Sequence, residues 1–279
     1  MLGGRQHWIE AQHTRPPAPT RAWVWTLAFG IATLLFGLYL GQVFPPSGHD
    51  IAPGYGAPVL AFEFAGNQSD LEAIFGFYTD PEQVTRLAAM RTGNEQDYLY
   101  MLLYAGFLAS GLVALSHELG LRAWKAAATL PILAGLCDAW ENWLLFDIQA
   151  AFTVGDYSPA MASLPYPVAA KFALLALTNV AIGLGIARIG RWHELAGTLV
   201  IVACVPVLMA IAVPARYGWT LLASTGGGWI VLLGLAMMAS WRAAVRKRPL
   251  VEPEMPPPAA RRAEPDAAPA RKLFGRRGT

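Results

Sequence analysis

Asp138, Glu141 and Asn142 lie within five residues of one another in LCDAWENWLLF (136–146), a stretch otherwise fit for lipid. Spacings of three and four place all three on one helical face. Two carboxylates and an amide held together away from water can carry protons or act as general acid and base, because burial and neighbouring charge displace their titration. A partner is expected in Lys171, the one basic residue in the interior of any long apolar segment. Counted inward at 1.5 Å per residue, Glu141 lies about 7–8 Å below the outer end of its segment, Asp138 about 12 Å and Lys171 about 6 Å. A Glu141–Lys171 ion pair with Asp138 beneath it follows.

Two further sets of polar residues point the same way. Asp97, Tyr100 and Tyr104 are offset by 0, 3 and 7, which makes one stripe, and Thr178 follows Lys171 by seven residues with Asn179 beside it. The expected ligand-binding set is therefore Asp97, Tyr100, Tyr104, Asp138, Glu141, Asn142, Lys171, Thr178 and Asn179, with Asp138 and Glu141 as the candidate catalytic groups. The same residues can instead serve as helix fastenings, at about 0.6–2 kcal/mol per hydrogen bond. The sequence leaves both readings open.

These residues need a frame. Apolar residues make up 55% of the 279 and charged residues 14%, against about 25% charged in soluble domains. The apolar residues are gathered into six runs, each near the 20 helical residues that cross a hydrocarbon core: spans I (22–44), II (98–116), III (124–146), IV (167–187), V (195–213) and VI (217–241). None alternates as a barrel strand would. The expected fold is an all-α integral membrane protein, a six-helix bundle over 22–241. Span I is too long for a signal peptide and no A-x-A site precedes FPPSG, so it is read as uncleaved.

Charge sets the orientation. Of the 21 Lys/Arg, all but Arg86, Arg91, Lys171 and Arg216 fall in the N-terminal tail (1–21), the turns 117–125 and 188–194, and the tail 242–279. By the positive-inside rule those segments are cytoplasmic, and the expected location is the cytoplasmic (inner) membrane, multi-pass, with both termini inside.

The loop 45–97 then faces outward as a small acidic cap, with eight Asp/Glu against two Arg. Within it, Val59–Ala65 reads as extended. Ser69 and Glu72 form a capping box at the start of a short helix, and Asp80-Pro81-Glu82 starts a second. The Pro/Ala-rich tail after Arg248 cannot build a core and reads as disordered.

Other signals are weaker. Gly226–Gly228 inside span VI either break the helix beside a substrate or, the more ordinary reading, allow close packing. Gly37–Gly41 and Gly106–Ser110 are small-xxx-small patterns. Cys137 and Cys204 fall in apolar runs without metal-ligand spacing. No phosphate loop, zinc-protease helix or nucleophile elbow is present. No cofactor and no metal is expected, and no nucleic-acid partner; the expected partners are membrane lipid and a small amphiphilic ligand.

The stretches FEFAGNQSDLEAIFGFY, DYLYMLLYAGFLASG and LAGLCDAWENWLL together resemble an uncharacterised family of bacterial multi-pass membrane proteins. These carry an acidic outward loop, an Asp at the start of the next helix and an Asp-x-x-Glu-Asn motif in the helix after. The resemblance covers roughly residues 58–187, with Asp97, Asp138, Glu141, Asn142 and Lys171 at the matching positions, and implies no activity. The expected function is an outward-facing polar pocket between spans II, III and IV that binds or transports a small amphiphile or lipid. The alternatives are a membrane enzyme using Asp138/Glu141 as acid and base on a lipid-like substrate, or a non-catalytic accessory subunit.

Overall fold

The computed structural model describes residues 21–156 and 158–246, and these fold into helices with no strand among them. Both tails beyond that range, including the segment read as disordered, lie outside the described residues. In chain order the helices are α1 (Arg21–Val43), α2 (Pro58–Glu63), α3 (Gln68–Phe75), α4 (Gln83–Leu119), α5 (Arg122–Ala127) and α6 (Thr129–Thr153). They continue with α7 (Pro165–Ala187), α8 (Arg191–Ala203), α9 (Val205–Ala212), α10 (Pro214–Tyr217) and α11 (Trp219–Arg246). Five are long and apolar enough to cross a membrane: α1, α4, α7, α8 with α9, and α11.

Several boundaries differ from the sequence reading, each for a local reason. Span II is the inner part of a 37-residue α4 that begins at Gln83. No proline interrupts 83–119, so the helix runs on where hydropathy falls; hydropathy measures the apolar part of a helix, not its length. Span III begins at Thr129 rather than 124 and ends at Thr153. Pro131 has no N–H for the carbonyl of Ala127, which closes α5 and starts a new helix. Span V is jointed at Cys204, where Pro206 likewise removes a bond to the preceding turn. Val59–Ala65 is not extended: Pro58 sits at the first position of α2, and Leu60, Ala61, Phe62 and Glu63 are all buried. A short apolar run buried on every side carries no period to read. The capping box exists but is built by Asn67 and Asp70, each accepting from the other's backbone N–H, at 3.1 and 3.2 Å. Ser69 instead donates to Asn67 Oδ1 at 2.5 Å.

The loops gather at two ends. At one, Pro53–Tyr55 packs on α10, with the Gly54 backbone against the Ala215 carbonyl. At the same end Arg86 of α4 binds Asp80 (2.7 Å), Glu82 (2.6 Å) and the Phe75 carbonyl (3.1 Å), fastening α3 to α4. The tight turn after α3 uses Gly76 at φ 93, a left-handed conformation in which any Cβ would strike the Asp80 carboxylate. At the other end Trp23 Nε1 donates to Glu118 (2.9 Å) and Trp124 Nε1 to the Ala181 carbonyl (2.8 Å).

Close approach of the helices rests on glycine. Gly30 of α1 lies on the Phe107 ring of α4 and Gly106 of α4 on Phe29 of α1, while Gly183 and Gly197 bring the α7 and α8 backbones together. Of the sequence patterns, Gly37 packs on the Tyr100 ring, whereas Gly41 has open space around it. α11 passes unbroken through Gly226–Gly228, so the broken-helix reading falls.

Two apolar cores result. One holds Phe62, Phe75, Leu145, Ile148 and Val168 beneath α2 and α3; the other holds Phe107, Leu112, Leu115, Ile182 and Leu232. Between them runs a layer of buried polar side chains. α6 turns Asp138, Glu141 and Asn142 inward to that layer, while Ile132, Leu133, Leu136, Trp140 and Trp143 face outward and are exposed. That is the inverse of a water-soluble helix. Exposed Tyr39, Tyr166 and Trp219 lie near the end of α1 and the starts of α7 and α11, and exposed Trp25, Trp192 and Trp241 near the start of α1, the start of α8 and the end of α11.

Candidate functional site

Lys171 organises the polar layer. Its Nζ lies 2.8 Å from Glu141 Oε1, 3.1 Å from Asp138 Oδ1 and 3.1 Å from Glu63 Oε2. The first two contacts are hydrogen-bonded; that to Glu63 Oε2 lies outside hydrogen-bond geometry and is ionic. Lys171 is one turn past the proline-rich start of α7, Glu141 and Asp138 share the inner face of α6, and Glu63 ends α2. Three elements far apart in sequence thus converge on one ammonium, which is only 4% exposed.

The surroundings fix each carboxylate. Tyr104 of α4 donates its hydroxyl to Asp138 Oδ2 at 2.8 Å, so Asp138 holds phenol with one oxygen and ammonium with the other. Asn142 donates to Asp97 Oδ2 (3.1 Å) and to the Asn94 backbone carbonyl (3.2 Å), tying α6 to α4 one turn away. Glu141 is 1% exposed, and its second oxygen, Oε2, has no hydrogen-bond partner among the described residues. The Glu63 and Glu141 carboxyls meet at the Lys171 ammonium, and Glu63 Oε2, like Glu141 Oε2, has no hydrogen-bond partner among the described residues. Burial holds the Glu63 carboxyl above the usual carboxylate range; the nearby Lys171 ammonium opposes that and the Asp138 charge adds to it.

Charge balance dictates what such a set can do. Three carboxylates face one ammonium in an apolar interior, and like charges in one buried site do not all ionise. The group therefore holds at least one proton, and Glu63 Oε2 and Glu141 Oε2, two acceptors without a donor, are where a proton completes the bonding. The arrangement can store and release a proton and can seat a polar headgroup between apolar walls.

Of the residues expected from sequence, Asp97, Tyr104, Asp138, Glu141, Asn142 and Lys171 come together. Three do not. Tyr100 makes no hydrogen bond with the carboxylates; its ring lies 5.7 Å from that of Tyr104 and 6.4 Å from that of Trp229. Thr178 donates back to the Leu174 carbonyl of its own helix, and Asn179 faces α11, donating to the Ser224 carbonyl at 3.4 Å. A seven-residue step is about two turns, some 10 Å deeper along α7, which carries both past the reach of Lys171.

Glu63 and Asn94 were missed. Glu63 had a signal: it is the lone charge in the apolar run VLAFEFA, the same anomaly that marks α6. Comparison with known proteins found no matching family model, no matching curated protein and no matching solved structure.

Proposed function

We propose that this chain is a six-span membrane protein whose Lys171 cluster is a polar site, capped from outside by α2 and α3, that binds or passes a small amphiphile or lipid. One observation carries this reading. The cap enters the cluster itself, because Glu63 of α2 and the α6 carboxylates hold the same ammonium. Moving the cap therefore changes the site, and filling the site moves the cap. A set of helix fastenings alone would need no side chain from a loop.

Further features support a site near the membrane's outer edge. The exposed aromatics Tyr39, Tyr166 and Trp219 suit an interfacial belt, as do Trp25, Trp192 and Trp241 at the far end. Trp219 to Trp241 spans about 33 Å of helix, close to the roughly 30 Å of a hydrocarbon core. Lys171 is five residues past Tyr166, about 8 Å below the belt. α6 counts as the sixth span because its polar face is wholly inward and its outward face is apolar. The basic turns at the Trp25 end support reading that end as cytoplasmic.

The test is native mass spectrometry of the full chain extracted in mild detergent. Wild type carries a bound amphiphile, and the charge-balanced Asp138→Asn/Lys171→Met variant loses it while keeping its helical content. An empty wild type, or equal occupancy in the folded variant, would leave the cluster as a fastening and overturn the reading.

A further inference from the structure

Glu63 is an unusual occupant for a membrane site. It is the only charged residue of α2, it comes from a segment outside the spans, and it is flanked by Phe62 and Phe64. Phe64 stacks on Phe172, next to Lys171 in the chain, with centroids 6.1 Å apart and planes 11° apart; Phe62 packs edge-on against Phe75 at 5.1 Å. The segment thus presents a carboxylate on an ammonium with an apolar body laid against the bundle wall. That is the shape and chemistry of a monocarboxylic amphiphile, tethered.

Resting on the reading above, we infer that the ligand class is a monocarboxylic amphiphile, a fatty-acid-like molecule, whose carboxyl takes the place of Glu63 on Lys171. The exchange is like for like. One carboxyl replaces another, the buried charge and proton count are unchanged, and Glu63 returns to water with the cap. A cationic headgroup in the place of Glu63 would stand against the Lys171 ammonium, which is anchored in α7 and already bonded to Asp138 and Glu141. A neutral headgroup restores none of the ionic contact that Glu63 makes with the Lys171 ammonium. Once Glu63 leaves with its proton, Glu141 Oε2, on a side chain 1% exposed and without another donor among the described residues, accepts from the entering carboxylic acid in its place.

The experiment uses the purified full chain in phosphatidylcholine nanodiscs, with radiolabelled lauric acid as the probe and dodecanol and dodecyltrimethylammonium as competitors. Wild type binds lauric acid, and neither competitor displaces it. Glu63→Gln removes the tethered rival; if the open state is about a tenth populated in wild type, laurate binding tightens roughly tenfold. Lys171→Met loses binding, and Glu63→Gln, lying outside the spans, remains decisive if Lys171→Met does not fold. Laurate affinity unchanged or weakened in folded Glu63→Gln overturns the inference. So does displacement by dodecanol or dodecyltrimethylammonium, although an amphiphile site then still stands. No binding of any of the three, with no amphiphile in the native mass spectrum, removes both.

Discussion

Glu63 and Glu141 hold the same ammonium from two separate elements, Glu63 from the cap helix α2 and Glu141 from α6, at 3.1 and 2.8 Å from Lys171 Nζ. Together with Asp138 they make the cap, α6 and α7 depend on one side chain. Removing it leaves buried carboxylates without a counter-charge, a loss of about 3–5 kcal/mol. Lys171→Met should therefore melt well below wild type in detergent, and adding Glu141→Gln should recover part of the loss. Equal melting of wild type and Lys171→Met would show that the cluster holds nothing together.

Much of this was readable in the sequence because membrane spans impose strong patterns. Lys171, Asp138 and Glu141 stand out as the only full charges deep in apolar runs, and antiparallel neighbours at matched depth leave little choice of partner. Glu63 escaped because a loop residue has no depth to match, and α2 buries consecutive residues without any period. Asn179 and Thr178 were placed by face alone. A helical face fixes direction around the axis, not distance along it, and two turns separate them from the ammonium. The division of α4 at Asp97 failed for a related reason, since charge ends an apolar run without ending a helix.

Asp80 fastens the cap through Arg86, His49 and the Glu82 backbone N–H, and these contacts, led by the backbone bond, hold its carboxyl below the usual carboxylate range. A carboxyl whose value is lowered on folding stabilises the fold above the ordinary value near 3.9, and that contribution is lost as pH falls through the folded-state value. Acidification below about pH 4 should loosen the cap before the spans. Hydrogen exchange at residues 74–86 measures it, with rates rising in acid relative to the spans. Asp80→Asn should show the looser cap already at pH 7 and little further change. Identical profiles for the two proteins from pH 7 to 3 would mean that Asp80 is not the fastener.

Gly227 and Gly228 are adjacent in α11 and should respond oppositely to alanine. A Cβ at Gly227 meets open space, whereas one at Gly228 lies 2.9 Å from Asn179 Oδ1 and 3.0 Å from its Cγ. Gly227→Ala gains helix propensity, by up to about 1 kcal/mol. Gly228→Ala forces the buried Asn179 to move and disturbs the α7–α11 contact, at about 1–3 kcal/mol. Thermal melting of the two variants separates them, and the same sign for both would place the α7 contact elsewhere on α11.

α6 is the helix on which six spans depend, and labelling can decide it. Its carboxylates lower its apolar character, so crossing rests on their facing inward while apolar Leu136, Trp140 and Trp143 are exposed. In a background with Cys137→Ala and Cys204→Ala, single cysteines at Leu121 and Val154 bracket α5 and α6. Exposed Trp192 and Tyr78 provide references for the two ends of the bundle. A membrane-impermeant maleimide added to intact cells should label Val154→Cys and Tyr78→Cys. Leu121→Cys and Trp192→Cys should react only after the membrane is opened. Labelling of positions 121 and 154 from the same side would remove α6 from the spans. It would also put the Lys171 cluster at a surface rather than beneath a cap, which would leave Glu63 no lipid-facing site to close.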